Sequence, residues 1–414
     1  MFFNNRIGLL CFLLGIIGCS NLFYPYTSME KGRQLSSQLM EYVHPFSMND
    51  FSFLSNELQN KRIIILGEQL HQDGTTFRIK EQIIRYLHEN LNFDVVLYEA
   101  GLFDMWQMIN RKDSLDPNAG LYSFWWNNEE TKSLLEYYRQ QNQKGDSIFL
   151  NGFDIQLTGN IADSSRTKLL SNYLLKNGIK IENYLHFLFF AKDMQRYLRW
   201  WNIFKSRFTD EQKDSILQDM DDLVSKIQKN GKSNIEDQIY YRYLSGLKQW
   251  FETLIRYPKI GSPQRMQVRD SLMANNLIWL IDNIYPSKKV IIWMANMHAI
   301  HPENLYFPWK TTGQYLKTHY EENLYTVVFS SYGRLNNQGG LDNTMGNKSL
   351  EYLLHQESIP YAYIQAAQLP EHSFLKQKFV CGINQGLNQK ADWFSMTDLY
   401  INIDTMRPLT AIKE

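Results

Sequence analysis

The chain has 414 residues, and its 43 Lys and Arg are balanced by 43 Asp and Glu, so its formal net charge is zero. This length is more than one simple core requires, so we expect two subdomains or one domain with a large insertion. The balanced charge creates no net field that would attract nucleic acid, and we therefore predict no nucleic-acid partner.

Residues 1–19 have the pattern of a bacterial lipoprotein signal peptide. One early cation, Arg6, precedes an apolar run from Ile7 to Gly18, which is long enough for a signal-peptide core and short for a membrane span. With Cys19 this segment resembles a lipobox, which implies cleavage before Cys19 and lipid attachment to its sulfur. We expect an extracytoplasmic protein of the cell envelope, lipid-anchored to a bacterial membrane; the alternative is an ordinary signal peptide or an uncleaved anchor.

Residues 20–60 are a polar lead-in, and residues 61–156 form the first part of an α/β core. Ile63 to Leu66 is an apolar, β-branched run that predicts a buried strand. The run breaks at Gly67, and a helical period begins at about Thr75. Strands are predicted next at residues 94–98 and 147–150, and the order strand, helix, strand fits a βαβ unit.

Residues 157–287 differ in character, because strand patterns fade and long helical segments replace them. We predict an all-helical insertion or cap between the two parts of the core. Its aromatic residues, among them Tyr240, Tyr243 and Trp250, suit a pocket for a large apolar ligand. An equally good alternative is that these aromatic side chains form the contacts between the helices.

Residues 288–414 return to the α/β pattern and form the second part of the core. Strands are predicted at residues 288–294, 324–330, 362–366 and 400–403, with a loop rich in glycine and asparagine at residues 333–348. The expected fold is therefore α/β, with a mostly parallel central sheet flanked by helices and a large all-helical insertion.

Polar side chains follow four of the predicted strands at the point where each strand ends. The carboxyl ends of parallel strands lie along one edge of a sheet, so these residues should converge there. A histidine supported by a carboxylate activates water for attack, and a second histidine serves the leaving group or an oxyanion. For each of these residues the alternative to a catalytic role is a purely structural one. The set comprises Glu68, His71, Glu99, Asp154, Asn296 and His298.

The motifs resemble the erythromycin esterase family in their order and spacing over roughly residues 60–335. They are Gly67-Glu68-x-x-His71, Glu99 at the end of the next strand, Gly152-Phe153-Asp154, the helical segment Arg269–Asn276, and Asn296-x-His298. The resemblance implies an α/β core with a helical cap and hydrolysis of the lactone ester of macrolide rings without a metal or other cofactor.

The resemblance also implies roles for individual residues. His71 would be the general base on water, Glu68 and Glu99 would orient and polarise it, and His298 would lie across the cleft. Lys80 stands where the family has an arginine, and together with Asp154 and Asn296 it is a candidate for substrate binding. Gln72, Thr75 and Ala295 depart from the family pattern, so we expect the substrate to differ.

The sequence thus predicts a hydrolase that cleaves an ester or lactone bond of a bulky small molecule with histidine-activated water. No serine elbow of the form G-x-S-x-G is present, which argues against a conventional α/β-hydrolase triad. Two alternatives remain. One is a metal-dependent hydrolase or peptidase that uses the same Glu and His cluster, and the other is a lipoprotein that binds a ligand without turning it over.

Overall fold

The structure is a computed structural model that describes residues 39–110, 120–159, 161–198, 208–229, 234–302, 307–336 and 338–412. The predicted signal peptide, Cys19 and residues 20–38 of the lead-in lie outside these residues. None of the helices in the described ranges has the length and apolar character that crossing a bilayer requires.

A mixed sheet of nine strands organises the molecule, and a two-stranded hairpin accompanies it. The strands are β1 (His44–Pro45), β2 (Ile63–Leu66), β3 (Phe93–Gly101), β4 (Phe149–Asp154), β5 (Lys289–Trp293), β6 (Leu324–Leu335), β7 (Leu341–Asp342), β8 (Tyr361–Gln365), β9 (Phe379–Cys381), β10 (Gln389–Ala391) and β11 (Leu399–Met406). The order across the sheet is β1-β8-β11-β6-β2-β5-β3-β4, with β7 on β6, while β9 and β10 form the hairpin.

The run from β11 through β6, β2, β5 and β3 to β4 is parallel throughout, whereas β1, β7 and β8 pair antiparallel. The strands β2, β5, β3 and β4 are neighbours, so their carboxyl ends share one edge, as the sequence predicts. The mostly parallel α/β fold is therefore confirmed.

Fourteen α-helices in the described residues flank this sheet. They are α1 (Phe53–Leu58), α2 (Gly74–Leu91), α3 (Leu102–Asn110), α4 (Ser123–Trp126), α5 (Glu129–Lys144), α6 (Asp163–Lys176), α7 (Leu185–Ala191), α8 (Met194–Leu198), α9 (Asp210–Lys229), α10 (Ile235–Arg256), α11 (Pro263–Trp279), α12 (Asn296–Ala299), α13 (Thr312–Tyr320) and α14 (Leu350–Gln356). Between β4 and β5 the described chain is helical, and α11 continues into a π-helical turn at Leu280–Ile284.

Both faces of the sheet are covered, which explains why the central strands are apolar along their whole length. Ile63 and Ile65 of β2 pack into a core shared with the helices between β4 and β5. Ile64 and Leu66 point to the opposite face and pack with α2 and α5. The period of two along a strand therefore places alternate residues of one short run in two different cores.

For three aromatic residues of the helical segment, the structure decides the alternative that the sequence left open. Tyr240, Tyr243 and Trp250 of α10 are buried in the core that joins these helices to the sheet. These three side chains are therefore helix contacts. Several strand bounds also differ from prediction. β3 pairs with β4 as far as Gly101, and β6 extends to Leu335 to pair with β7. β4 runs on to Asp154 and β11 to Met406.

Candidate active site

The turn after β2 brings Glu68 and His71 into direct contact. The Nδ1–H of His71 donates to Oε1 of Glu68 over 2.6 Å, because an ionised carboxylate only accepts. Glu68 is fully buried, while the His71 side chain is 40% exposed. The carboxylate thus fixes the tautomer with the proton on Nδ1 and leaves Nε2 as the basic nitrogen.

A lysine and a tryptophan hold Glu68 from behind. Oε2 of Glu68 accepts from Nζ of Lys80 over 2.8 Å and from Nε1 of Trp293 over 2.5 Å. The ammonium of Lys80 also lies 4.4 Å from the centre of the Trp293 ring. Both oxygens of this buried carboxylate are therefore satisfied, and its charge is balanced.

Arg269, near the start of α11, gathers residues from three further elements. Its Nη2 donates to Glu99 of β3 over 2.8 Å and to Asp154 of β4 over 2.6 Å. Its Nη1 donates to Nε2 of His298 over 3.2 Å. The planar guanidinium makes these contacts at once, which a single ammonium nitrogen would not.

His298 has a carboxylate partner of its own. Its Nδ1–H donates to Oδ1 of Asp270 over 2.8 Å, and the same oxygen accepts from the backbone and the hydroxyl of Thr312. The site therefore contains two histidines, each held at Nδ1 by a buried carboxylate.

The pKa values reflect burial and these charges. Burial lowers the pKa of His71, but the hydrogen bond to Glu68 and the negative charges of Glu99 and Glu68 outweigh it, so the pKa of His71 is raised. The pKa of His298 is also raised, because Asp270 and Glu99 outweigh burial and the charge of Arg269. Burial opposes ionisation of Glu99, yet His298, Arg269 and His71 lower its pKa to about 2.

A cavity of about 310 Å³ opens onto this cluster. Its walls combine acid–base residues with aromatic and thioether side chains, as ligand pockets commonly do. The lining residues are Gln69, Leu70, His71, Glu99, Tyr122, Phe124, Trp125, Gln156, Gly261, Met266, Arg269, Ala295, Met297, His298, Trp309 and Gln385.

The structure separates the predicted site residues into two groups. His71, Glu99 and His298 line the cavity, and Glu68 lies directly behind His71. Lys80, Asp154 and Asn296 are buried and are not among the lining residues. Their predicted role as direct substrate contacts does not match this placement, since each is turned toward a protein partner.

The partners of these three residues explain their positions. Lys80 neutralises Glu68, and Asp154 holds Arg269. The amide nitrogen of Asn296 donates to the carbonyls of Phe329 and Ile383. Asn296 also lies so close to Gly67 that a Cβ at position 67 would collide with its amide, which explains the glycine at the end of β2.

Sequence reasoning assigned no role to Arg269 or Asp270, although both belong to the segment that carries the family resemblance. The adjacent Arg-Asp pair within that segment was the available signal. The aromatic lining residues from Tyr122 to Trp125 gave no signal, because tyrosine, phenylalanine and tryptophan are equally common in cores.

The acid–base cluster has an arginine among its carboxylates. Within the described ranges, no group of three or more His, Cys, Asp or Glu side chains is placed to hold a metal ion. The Arg269 guanidinium instead supplies the positive charge between Glu99, Asp154 and His298.

The sheet, its helices and the enclosed cluster define an α/β protein with an acid–base site at the carboxyl edge of its parallel strands. The family model described as "Erythromycin esterase" matches residues 88–393, which is more than half of the chain. The chain therefore belongs to the erythromycin esterase family. The match begins after Glu68 and His71, so the assignment of these two residues to the site is based on the geometry and not on the match.

Similar proteins agree with this assignment. "Putative hydrolase YbfO" of Bacillus subtilis (strain 168) is 26% identical in an alignment of 311 positions that covers 69% of this chain and 68% of YbfO. Family membership and this relative together support a hydrolase.

Solved structures share the fold. A Bacillus cereus protein has a TM-score of 0.72 at 19% identity, with 94% of this chain and all of that chain covered. A mutant of the erythromycin esterase EreC in its open conformation has a TM-score of 0.64 at 16% identity, with 87% and 95% covered.

Proposed function

We propose that the protein hydrolyses an ester or lactone and that His71 is the general base that activates water. The observation that carries this proposal is the pair of Glu68 and His71, with a buried carboxylate 2.6 Å from Nδ1 and an imidazole that remains 40% exposed in the cavity. This arrangement sets the tautomer of His71 and leaves its basic nitrogen accessible to water and substrate.

The reaction would proceed through a tetrahedral intermediate. Water gives a proton to Nε2 of His71, and its oxygen forms the new bond to the carbonyl carbon of the substrate. The intermediate then releases the alcohol oxygen, which takes a proton from the imidazolium. Arg269 lines the same cavity, and its guanidinium offers N–H donors to the oxyanion, while His298 lies beside it.

The cavity indicates what kind of molecule would bind. Its volume of about 310 Å³ is near the lower end of the roughly 300–1,000 Å³ found for ligand pockets. The charges of Glu99 and Arg269 neutralise each other within the wall. The site therefore suits an uncharged ester with a hydrophobic surround, and the remainder of a bulky substrate such as a macrolide would lie outside the cavity.

The test is hydrolysis by the purified full-length chain in detergent on a panel of lactones and esters that includes a macrolide. We expect His71→Asn and Glu68→Gln each to lose at least about a hundredfold in kcat/KM. The matched control is His355→Asn, because His355 also donates from Nδ1 to a carboxylate, Asp404, over 2.7 Å but does not line the cavity. Equal rates for wild type and His71→Asn on every turned-over substrate would refute the proposal.

We also propose that the protein is tethered to the cell envelope through a lipid on Cys19. The support is the sequence pattern of residues 1–19, which the described residues do not include. In a bacterial host fed with labelled palmitate, wild type should incorporate label and Cys19→Ser should not. Equal labelling of both would reject this site of attachment.

A further inference from the structure

Three rings form a continuous stack that ends on His71. Phe124 lies parallel to His71, with ring centres 5.1 Å apart and planes 17° from each other. Tyr122 also stacks on Phe124, with the same separation and angle. The hydroxyl of Tyr122 donates to Oε1 of Gln156 over 2.9 Å, which anchors Tyr122.

A fourth ring blocks sideways movement of this stack. Trp125 meets His71 edge-on, with ring centres 5.9 Å apart and planes at 80°. It also contacts Phe124 edge-on, with centres 4.8 Å apart. Trp125 is almost completely buried and packs in the core beneath the sheet, so it is a fixed wall for both rings.

The hydrogen bond to Glu68 does not by itself fix the imidazole plane. One bond at Nδ1 still allows small coupled changes of the χ1 and χ2 torsions of His71, which tilt the imidazole plane and shift Nε2. A parallel aromatic face restricts this tilt, because tilting the imidazole plane would disrupt the stack. Small errors in the position of a catalytic base reduce rates strongly.

We propose that Phe124 is a positioning residue that fixes the plane of His71, and hence the direction of Nε2, through the Tyr122–Phe124–His71 stack. This inference rests on the proposed function, because it assigns the supporting contact to the proposed base. The aromatic face also favours the charged ring, since imidazolium is attracted to the negative face of an aromatic ring.

Charged groups act on His71 from several other elements, and the effect of Phe124 adds to theirs. Glu68 and Glu99 favour the imidazolium, and Arg269 opposes it. Asp73, in the same turn, is also close enough to interact electrostatically with His71. Burial lowers the pKa of His71, so a smaller side chain at position 124 that exposed the ring would raise this pKa. A fall in the pKa of His71 after replacement of Phe124 would therefore report the loss of the aromatic face.

Phe124→Leu tests the proposal because leucine keeps much of the side-chain volume and removes the aromatic face. We expect kcat to fall about tenfold with little change in KM, since the loss concerns orientation of the base. By NMR titration of the full chain, the pKa of His71 should fall by about half a unit. Phe124→Tyr should leave kcat and the pKa of His71 near their wild-type values, because tyrosine keeps the aromatic ring.

The control uses a second stacked histidine in the same chain. Tyr332 lies parallel to His355, with ring centres 3.8 Å apart, outside the cavity. Tyr332→Leu removes this stacked ring and should leave kcat and the titration of His71 at their wild-type values. Thermal unfolding of each variant confirms that it is folded before it is assayed.

Two outcomes would overturn the proposal. Phe124→Leu with an unchanged kcat and an unchanged His71 titration would show that the stack does not position the ring. A change confined to KM would make Phe124 a substrate contact instead. If the wild type hydrolyses no substrate, the proposed function fails, whereas the NMR comparison still decides whether Phe124 controls His71.

Discussion

Lys80 and Glu68 form a buried ion pair, with Nζ 2.8 Å from Oε2, directly behind the hydrogen bond between Glu68 and His71. Burial lowers the pKa of Lys80 to about 8, although Glu68 and Glu99 act to raise it. The negative charge of Glu68 therefore offsets the cost of burying the Lys80 ammonium. The two side chains belong to one unit with His71.

Lys80→Met should destabilise the protein because it leaves the Glu68 carboxylate buried without a cation. Removing one partner of a buried pair costs about 3–5 kcal/mol, and we expect a loss in this range from urea unfolding. Lys288→Met is the control, since Lys288 pairs with Asp94 at a partly exposed position and should cost about 1 kcal/mol or less. Similar losses for both variants would contradict the importance assigned to burial.

The parallel sheet and the convergence of its strand ends were predictable from the sequence because both follow from local patterns. The run Ile63 to Leu66 is apolar at every position, which only a strand covered on both faces requires. Glu68, Glu99 and His298 each follow or end a strand, and the geometry of parallel sheets brings such residues together.

The partners within the site were not predictable in the same way. Arg269 meets Asp154 across 115 positions of sequence, and the contact depends on how α11 packs against β4. Lys80 belongs to a helix whose pattern does not show which polar residue faces inward, and its burial depends on neutralisation by Glu68. Such pairings arise from tertiary packing, so neither periodicity nor motif spacing contains them.

The rate should depend on pH through His71. Glu68 and Glu99 raise the pKa of His71 against the effect of burial, and only the neutral ring takes a proton from water. We therefore expect kcat/KM to rise with pH through an apparent pKa above the ordinary histidine value of about 6.5.

Glu68→Gln should move this rise to lower pH, because loss of the carboxylate charge disfavours the imidazolium. Asp404→Asn, which alters the partner of His355 away from the cavity, should leave the profile in place. A rise that stays at the same pH in Glu68→Gln would mean that another group titrates.

Asp270→Asn should impair the second histidine. Oδ1 of Asp270 accepts from Nδ1 of His298 and from Thr312, and its charge helps to raise the pKa of His298. The asparagine keeps an acceptor but loses the charge, so the pKa of His298 should fall and kcat should drop on the order of tenfold or more. NMR titration and steady-state kinetics measure the two effects.

The matched control for Asp270→Asn is Asp282→Asn, since Asp282 lies 3.0 Å from Nε2 of the half-exposed His319. It should leave kcat at the wild-type value. An unchanged titration of His298 in Asp270→Asn would show that Asp270 does not support its charge.

Arg269→Met should have the largest effect on stability, because it leaves two buried carboxylates, Glu99 and Asp154, without their shared cation. We expect urea unfolding at neutral pH to show a loss of at least about 3–5 kcal/mol. The stability of Arg269→Lys should lie between those of wild type and Arg269→Met. Lysine keeps the charge, but it has one nitrogen for the contacts that the guanidinium makes with three. Arg256→Met removes a cation from an exposed pair with Glu252 and should cost about 1 kcal/mol or less.

The pH dependence gives a second measurement on Arg269. A carboxyl whose pKa is lowered by folding stabilises the native state above its unfolded pKa, and that contribution is lost as the pH falls through the folded value. For Glu99 this contribution is lost between pH 4.5, its ordinary pKa, and about pH 2, its pKa in the folded protein. Arg269→Met raises the pKa of Glu99, so its stability should be less sensitive to acid in this window than that of wild type. Parallel stability curves for the two proteins would contradict the assignment of Arg269 as the cation that keeps Glu99 ionised.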